Sequence, residues 1–164
     1  MDQINIDQIN TNQPKNGCAL TGHRIIQKDF SLTRLKDIFT ELIYKQDITT
    51  FYCGMAMGFD LTACELLLEM KKNFPPMKVI ACIPCPEQSS TFSFALRKKY
   101  DELLARCDER VVLSSHYTPA CMHIRNHYMV DNAKILVAYC NRDKGGTAST
   151  VAYAKKKGLP VIFV

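Results

Sequence analysis

The chain contains no tryptophan among its 164 residues, and only seven glycines and seven prolines. That scarcity excludes collagen-like and glycine/proline-rich low-complexity architectures. No apolar run approaches the ~18 residues that a membrane span requires, so no membrane association is expected. The opening residues, Met1-Asp2-Gln3-Ile4-Asn5-Ile6, have neither a basic start nor an apolar stretch. They do not read as a secretory signal, and the expected location is cytoplasmic. Also missing are a G-x-G-x-x-G fingerprint, a P-loop lysine, an H-E-x-x-H pair and a second C-x-x-C. These absences disfavour Mg-dependent nucleotide hydrolysis and leave no expected metal and no required cofactor.

What is present is a composition that can fold: 47% hydrophobic residues in a length suited to one domain with its own core. Eight cysteines in a chain without a secretion signal are expected to be thiols. The net charge of +5 draws on Lys71-Lys72, Arg97-Lys98-Lys99 and Lys155-Lys156-Lys157. All three runs fall in stretches with helical periodicity, where a solvated face explains them and nucleic-acid binding is not expected.

Asp-Gln-Ile-Asn occurs at 2–5 and again at 7–10. Residues 1–16 carry too little apolar surface to offset their ordering entropy, so they are expected to form a flexible polar tail before one domain at 17–164. From there apolar runs alternate with helical patterns. Strands are expected at 18–21, 49–53, 79–83, 110–113, 134–139 and 160–164. Between them, a helix after the candidate cap Ser31 carries Leu32, Leu35, Ile38, Phe39, Leu42 and Ile43 at helical spacing. Further helices are expected at 61–74, 94–107, 121–133 and 148–157. Continuous apolar strands separated by helices demand crossovers, hence a mainly parallel six-stranded sheet covered on both faces. The fold class is a three-layer, Rossmann-like α/β domain.

Ligands of such sheets bind beyond the carboxyl ends of the strands. Thr21-Gly22-His23-Arg24 follows the first strand, with a glycine for close approach and an arginine fork for phosphate or carboxylate. Gly54-Met55-Ala56-Met57-Gly58-Phe59-Asp60 follows the second and leads into a helix, whose free amides favour an anion. Asp60 either caps that helix or accepts a ribose hydroxyl. Glu65 is either a solvated helix residue or a carboxylate beside the cleft. After the third strand, Cys82 and Cys85 form a C-x-x-C interrupted by prolines, better read as packing than as zinc or redox chemistry; Gln88 follows. On the helix from Cys121, His123 and His127 lie one turn apart and read as partly exposed, while Arg125 and Asn126 point elsewhere and are candidates to face the cleft. Gly145-Gly146-Thr147, opening the last helix, is a second anion cradle. Two such cradles on one parallel sheet point to a phosphate-bearing small molecule, a nucleotide or nucleotide derivative.

Together the motifs T-G-H-R, G-M-A-M-G-F-D, I-P-C-x-x-Q, C-M-x-x-R-N-x-Y-M-V-D-N and G-G-T-A-x-T-V-x-Y-A resemble the YpsA-like family of the SLOG superfamily, related to DprA and LOG proteins. The resemblance covers residues 17–164. It implies a Rossmann-like domain binding nucleotides or nucleotide-derived ligands, often as a dimer or other homo-oligomer. LOG proteins cleave the N-glycosidic bond of a nucleoside monophosphate with a glutamate after a glycine-rich motif. In this chain Thr150 stands at that place, and threonine cannot serve as the carboxylate. Only Glu65 or Asp60 is left to substitute. Where relatives often carry a tryptophan, this chain has Phe92 or Phe94, either stacking on a base or packing a helix. The expected function is ligand binding with a sensing or regulatory role. N-glycoside hydrolysis and a protein-interaction module with a vestigial cleft are the alternatives.

Overall fold

A computed structural model describes residues 16–164. All but the last residue of the expected polar tail lies outside the described residues. The elements run β1 (Gly17–Gly22), α1 (Leu32–Gln46), β2 (Thr50–Cys53), α2 (Phe59–Lys71), β3 (Lys78–Ile83), α3 (Phe94–Arg106), β4 (Glu109–Val112), α4 (Cys121–Asp131), β5 (Ile135–Tyr139), α5 (Gly146–Lys156) and β6 (Val161–Phe163). The strands pair in the order β4-β3-β2-β1-β5-β6, and every pairing is parallel. This is the expected three-layer Rossmann-like sheet.

Alternation along the strands divides the core in two. Cys18, Leu20, Phe51, Cys53, Val79, Ala81, Ile135 and Val137 pack with Leu35, Phe39, Leu67 and Leu103 of α1, α2 and α3. Their neighbours Ala19, Ile80, Cys82, Leu136 and Ala138 pack on the other face with Met129, Val130, Val151 and Ala154 of α4 and α5. Residues one apart in a strand point to opposite faces, so double burial demands apolar side chains at both parities. β5 is buried along its whole length and β1 nearly so. The edge strands depart from that expectation: β4 is largely exposed and β6 only partly covered, because each has a neighbour on one side alone.

Local signals set the helix limits. Ser31 caps α1 by accepting the Arg34 amide at 3.1 Å, and Ser93 caps α3 through Leu96 at 3.3 Å. Two helices begin earlier than expected. α2 starts at Phe59 and α5 at Gly146, each after a glycine with positive φ (Gly58 at 81°, Gly145 at 105°). Such a φ is open to glycine at little cost and lets the strand-to-helix turn close in few residues.

From β1 the chain steps outward through β2 and β3 to β4, then returns by α4 to lay β5 on the other side of β1. Strand order therefore reverses between β1 and β5. That reversal opens a crevice at the carboxyl ends of these two strands.

Candidate functional site

The crevice is a cavity of about 340 Å³ walled by Thr21, Gly22, His23 and Arg24 after β1, Ala56 and Asp60 before and on α2, Arg125 and Asn126 on α4, and Gly145, Gly146 and Thr147 at the start of α5. Segments separated by more than a hundred residues thus converge on one space. Ile25, Met122, Arg142 and Lys144 complete its wall without having been singled out from the sequence. Arg142 and Lys144 stand just after β5, where the after-strand rule points, but the neighbouring glycines are the more conspicuous signal.

The two glycine-bearing helix starts have different fates. At α2 the space is filled by protein: a methyl group on Gly58 would lie 2.2 Å from the Arg24 carbonyl oxygen. The Phe59 amide donates to the His23 carbonyl at 3.1 Å, and Leu61 donates to Ala56 at 3.2 Å. Gly54 is enclosed too, its carbonyl accepting from Gln88 Nε2 at 2.8 Å and from Arg125 Nη1. Met55 is fully buried, with φ 60°, and contributes to the core. The expected cradle over 54–58 is therefore a packed joint between the β1 and β2 loops. At α5, by contrast, a methyl group on Gly145 or Gly146 would meet nothing within 4 Å among the described residues. First-turn amides have no intrahelical acceptor, and the positive end of the helix dipole lies there.

Cations gather beside this opening. Arg24, Arg142 and Lys144 line the cavity, and none forms a salt bridge among the described residues. Arg125 is more committed. It is 5% exposed and donates to Gly54, to Asn126 Oδ1 at 2.7 Å and to Met122 Sδ at 3.8 Å. Those bonds use three of the five guanidinium N–H groups and fix its plane.

Among the described residues, Asp60 is the one carboxylate in the wall of this cavity. It is 5% exposed; Oδ2 accepts the Ala56 amide at 3.2 Å, and Oδ1 is buried with no hydrogen-bond partner among the described residues. Burial pushes its pKa up to about 6, against the opposing pull of Arg125, the Ala56 amide and Arg24. A buried acceptor left unpaired costs free energy, which a ligand donor can recover.

Several other expected residues are occupied or turned away. Gln88 is buried, and besides its bond to Gly54 its Oε1 accepts from Tyr100 at 3.0 Å. His23 Nε2 accepts the Asn141 amide at 2.9 Å, tying the β1 loop to the β5 loop. Its pKa is lowered by burial and by Arg142. Glu65 pairs with Lys99 at 2.7 Å on the outer side of α2 and takes no part in the cavity wall. Thr150 is 2% exposed and returns its hydroxyl to the Gly146 carbonyl at 2.8 Å. His123 is exposed, and His127 is half-buried, stacked on Tyr153 with ring centres 3.7 Å apart. Cys82 and Cys85 are buried, and burial pushes their thiols up to about 12 and about 11, away from the reactive thiolate.

A second cavity, of about 450 Å³, adjoins the first and shares Arg24, Ala56 and Met122 with it. Phe92 lines it, while Phe94 is 86% exposed and lines neither.

Known proteins share this organisation. The YpsA family model, described as the YspA SLOG family, matches residues 26–159. The chain is 31% identical over 148 residues to the SPbeta prophage-derived protein YoqJ of Bacillus subtilis (strain 168), covering 80% of this chain and 86% of that protein. DNA processing protein A of Helicobacter pylori, solved for its single-stranded DNA binding mode, matches with a TM-score of 0.65 at 19% identity, over 90% of this chain and 64% of that one. The Streptococcus pneumoniae protein of the same name matches at 0.61 and 16%, over 90% of this chain and 49% of that one. At such identities the likeness is one of fold, and this chain spans about half the length of the latter protein.

Proposed function

Because the chain belongs to the YpsA family of SLOG proteins, we propose that it binds a nucleotide or nucleotide-derived ligand at the switch point between β1 and β5, in a sensing or regulatory role. One observation carries this reading: the open start of α5 stands beside three cationic side chains, Arg24, Arg142 and Lys144, that form no salt bridge among the described residues. Free amides, a helix dipole and unpaired cations are the donor set that phosphate requires. Asp60 Oδ1 supplies an acceptor for a ligand hydroxyl. The phosphate end rests on Gly145, Gly146 and Thr147, with Arg24 and Lys144 neutralising its charge.

Thermal shift with a panel of nucleoside phosphates tests this, since a ligand at 100 times its Kd stabilises by about 2.7 kcal/mol. Stabilisation that disappears in Gly146→Asp supports the reading. A flat response to every phosphate, with stabilisation by oligothymidylate instead, would replace it with single-stranded DNA binding.

A second reading, N-glycoside hydrolysis, rests on Asp60, whose carboxyl is buried in the cavity wall with a pKa raised to about 6. A carboxyl near neutrality suits proton transfer. Release of free base from a nucleoside 5′-monophosphate, lost in Asp60→Asn, would favour it; intact nucleotide after prolonged incubation would rule it out.

A further inference from the structure

We infer that Cys64 and Cys107 form a site of reversible oxidation, at which a peroxide converts two facing thiols into a disulfide between α2 and the end of α3. Their sulfur atoms lie 3.8 Å apart in the folded chain. A disulfide needs about 2.05 Å, so the pair has to close by roughly 1.8 Å. The chain neighbours of Cys107 hold it in place from both sides. Arg106 donates to Glu69 of α2 at 2.7 Å, while Asp108 pairs with Lys71 of the same helix and accepts the Val79 amide at 2.8 Å. Cys107 therefore stands between two ties to α2, and Cys64 lies on that helix one to two turns before them. Closing the gap falls to the two side chains rather than to the helices.

Burial assigns the roles. Cys107 is partly exposed, whereas Cys64 is wholly buried behind it. With hydrogen peroxide, the Cys107 thiolate attacks one oxygen and breaks the O–O bond. Its sulfur becomes a sulfenic acid, and the departing hydroxide takes up a proton as water. The Cys64 thiolate then attacks that sulfur, the S–S bond forms, and a second hydroxide leaves and is protonated to water. Two thiols have lost two electrons and two protons, and both peroxide oxygens end as water. The same packing slows this chemistry. The hydrogen bond with Cys64 and burial hold the Cys107 thiol well above its ordinary range. For Cys64 the contact with Cys107 works in the opposite direction, but its hydrogen bond with Cys53 and burial raise it overall. Thiolate is the attacking species, so the pair stays reduced through brief exposure and records sustained oxidation.

Mass-spectrometric peptide mapping of the full chain after prolonged incubation with hydrogen peroxide tests the inference, with cleavage at Phe59 separating Cys53 from Cys64. The expected product has lost two hydrogens, carries one cross-link joining Cys64 to Cys107, and returns to the dithiol with dithiothreitol. Its formation is expected to accelerate about tenfold per pH unit above neutrality, as the thiolate fraction does. The cross-link closes a loop across 43 residues, so the oxidised chain is expected to melt at least about 5 °C higher than the reduced one. Cys107→Ser is expected to lose both the cross-link and the shift. Linkage of Cys53 to Cys64, or of Cys85 to Cys121, in place of the named pair would overturn the inference. So would Cys107 ending as a sulfinic acid beside a free Cys64, chains joined to one another through Cys107, or every thiol still free. Each of these is read on the wild-type chain, so none depends on a variant's folding.

Discussion

The starts of α2 and α5 look alike in sequence and differ in what occupies them. Each follows a strand, each begins after a glycine with positive φ, and each lacks a side-chain cap. At α2 the β1 loop lies against the glycine and takes the Phe59 amide, so backbone already satisfies what an anion would have satisfied. At α5 no atom of the described residues lies within 4 Å of the corresponding methyl positions, and Lys144 and Arg142 flank them. A glycine before a helix thus marks a close approach, and whether chain or ligand makes that approach is decided by the neighbouring loop.

Substitution at the closed start carries the largest expected effect. Gly58→Ala combines an unfavourable positive φ with a methyl 2.2 Å from backbone, and a loss of about 3 kcal/mol or more in urea unfolding is expected. A loss below about 1 kcal/mol would mean that the joint is loose and the two starts are less different than they look.

Asp60 tests the seam between them. Its carboxyl titrates near 3.8 ordinarily and about 6 in the fold. Between those values the folded state binds more protons than the unfolded one, so stability falls as pH rises. Relative to Asp60→Asn, the wild type is expected to lose about 2 kcal/mol between pH 4 and pH 6, of about 3 kcal/mol in all, and to run parallel to it above pH 7. Parallel unfolding curves across the whole range would place the carboxyl in water.

Smaller effects are expected at the open start. Lys144→Ala is expected to leave the melting temperature unchanged and to weaken nucleotide binding about tenfold, as loss of one charge-assisted contact does. Smallest of all is Glu65→Gln: its half-exposed ion pair with Lys99 contributes little, and ligand affinity is expected to be unaffected. A change in affinity there would bring α2 back into the site.

Most of the framework is legible in the residues. Parity-independent apolar runs at β1 and β5 announce central strands, and the Ser31 and Ser93 caps are local signals. The site is legible by place more than by role. Glu65 lies five residues beyond Asp60 on α2, which turns it well around the helix from the cavity. Gln88 and Arg125 sit where ligand contacts were expected, yet both are bonded to the Gly54 carbonyl, a partner that only the folded chain supplies. Tyr117 follows the edge strand β4 with no glycine or motif beside it. It lines the second cavity, which no local pattern encodes.

The most direct test is calorimetric titration of a nucleoside 5′-monophosphate into wild type and Gly146→Asp, with the melting temperature of each measured in parallel. An aspartate in the first turn of α5 meets open space and favours the helix dipole, so the variant is expected to be at least as stable as the wild type. Its carboxylate occupies the place assigned to phosphate, so binding is expected to fall beyond detection. Wild-type affinity retained in a folded Gly146→Asp chain would contradict the account.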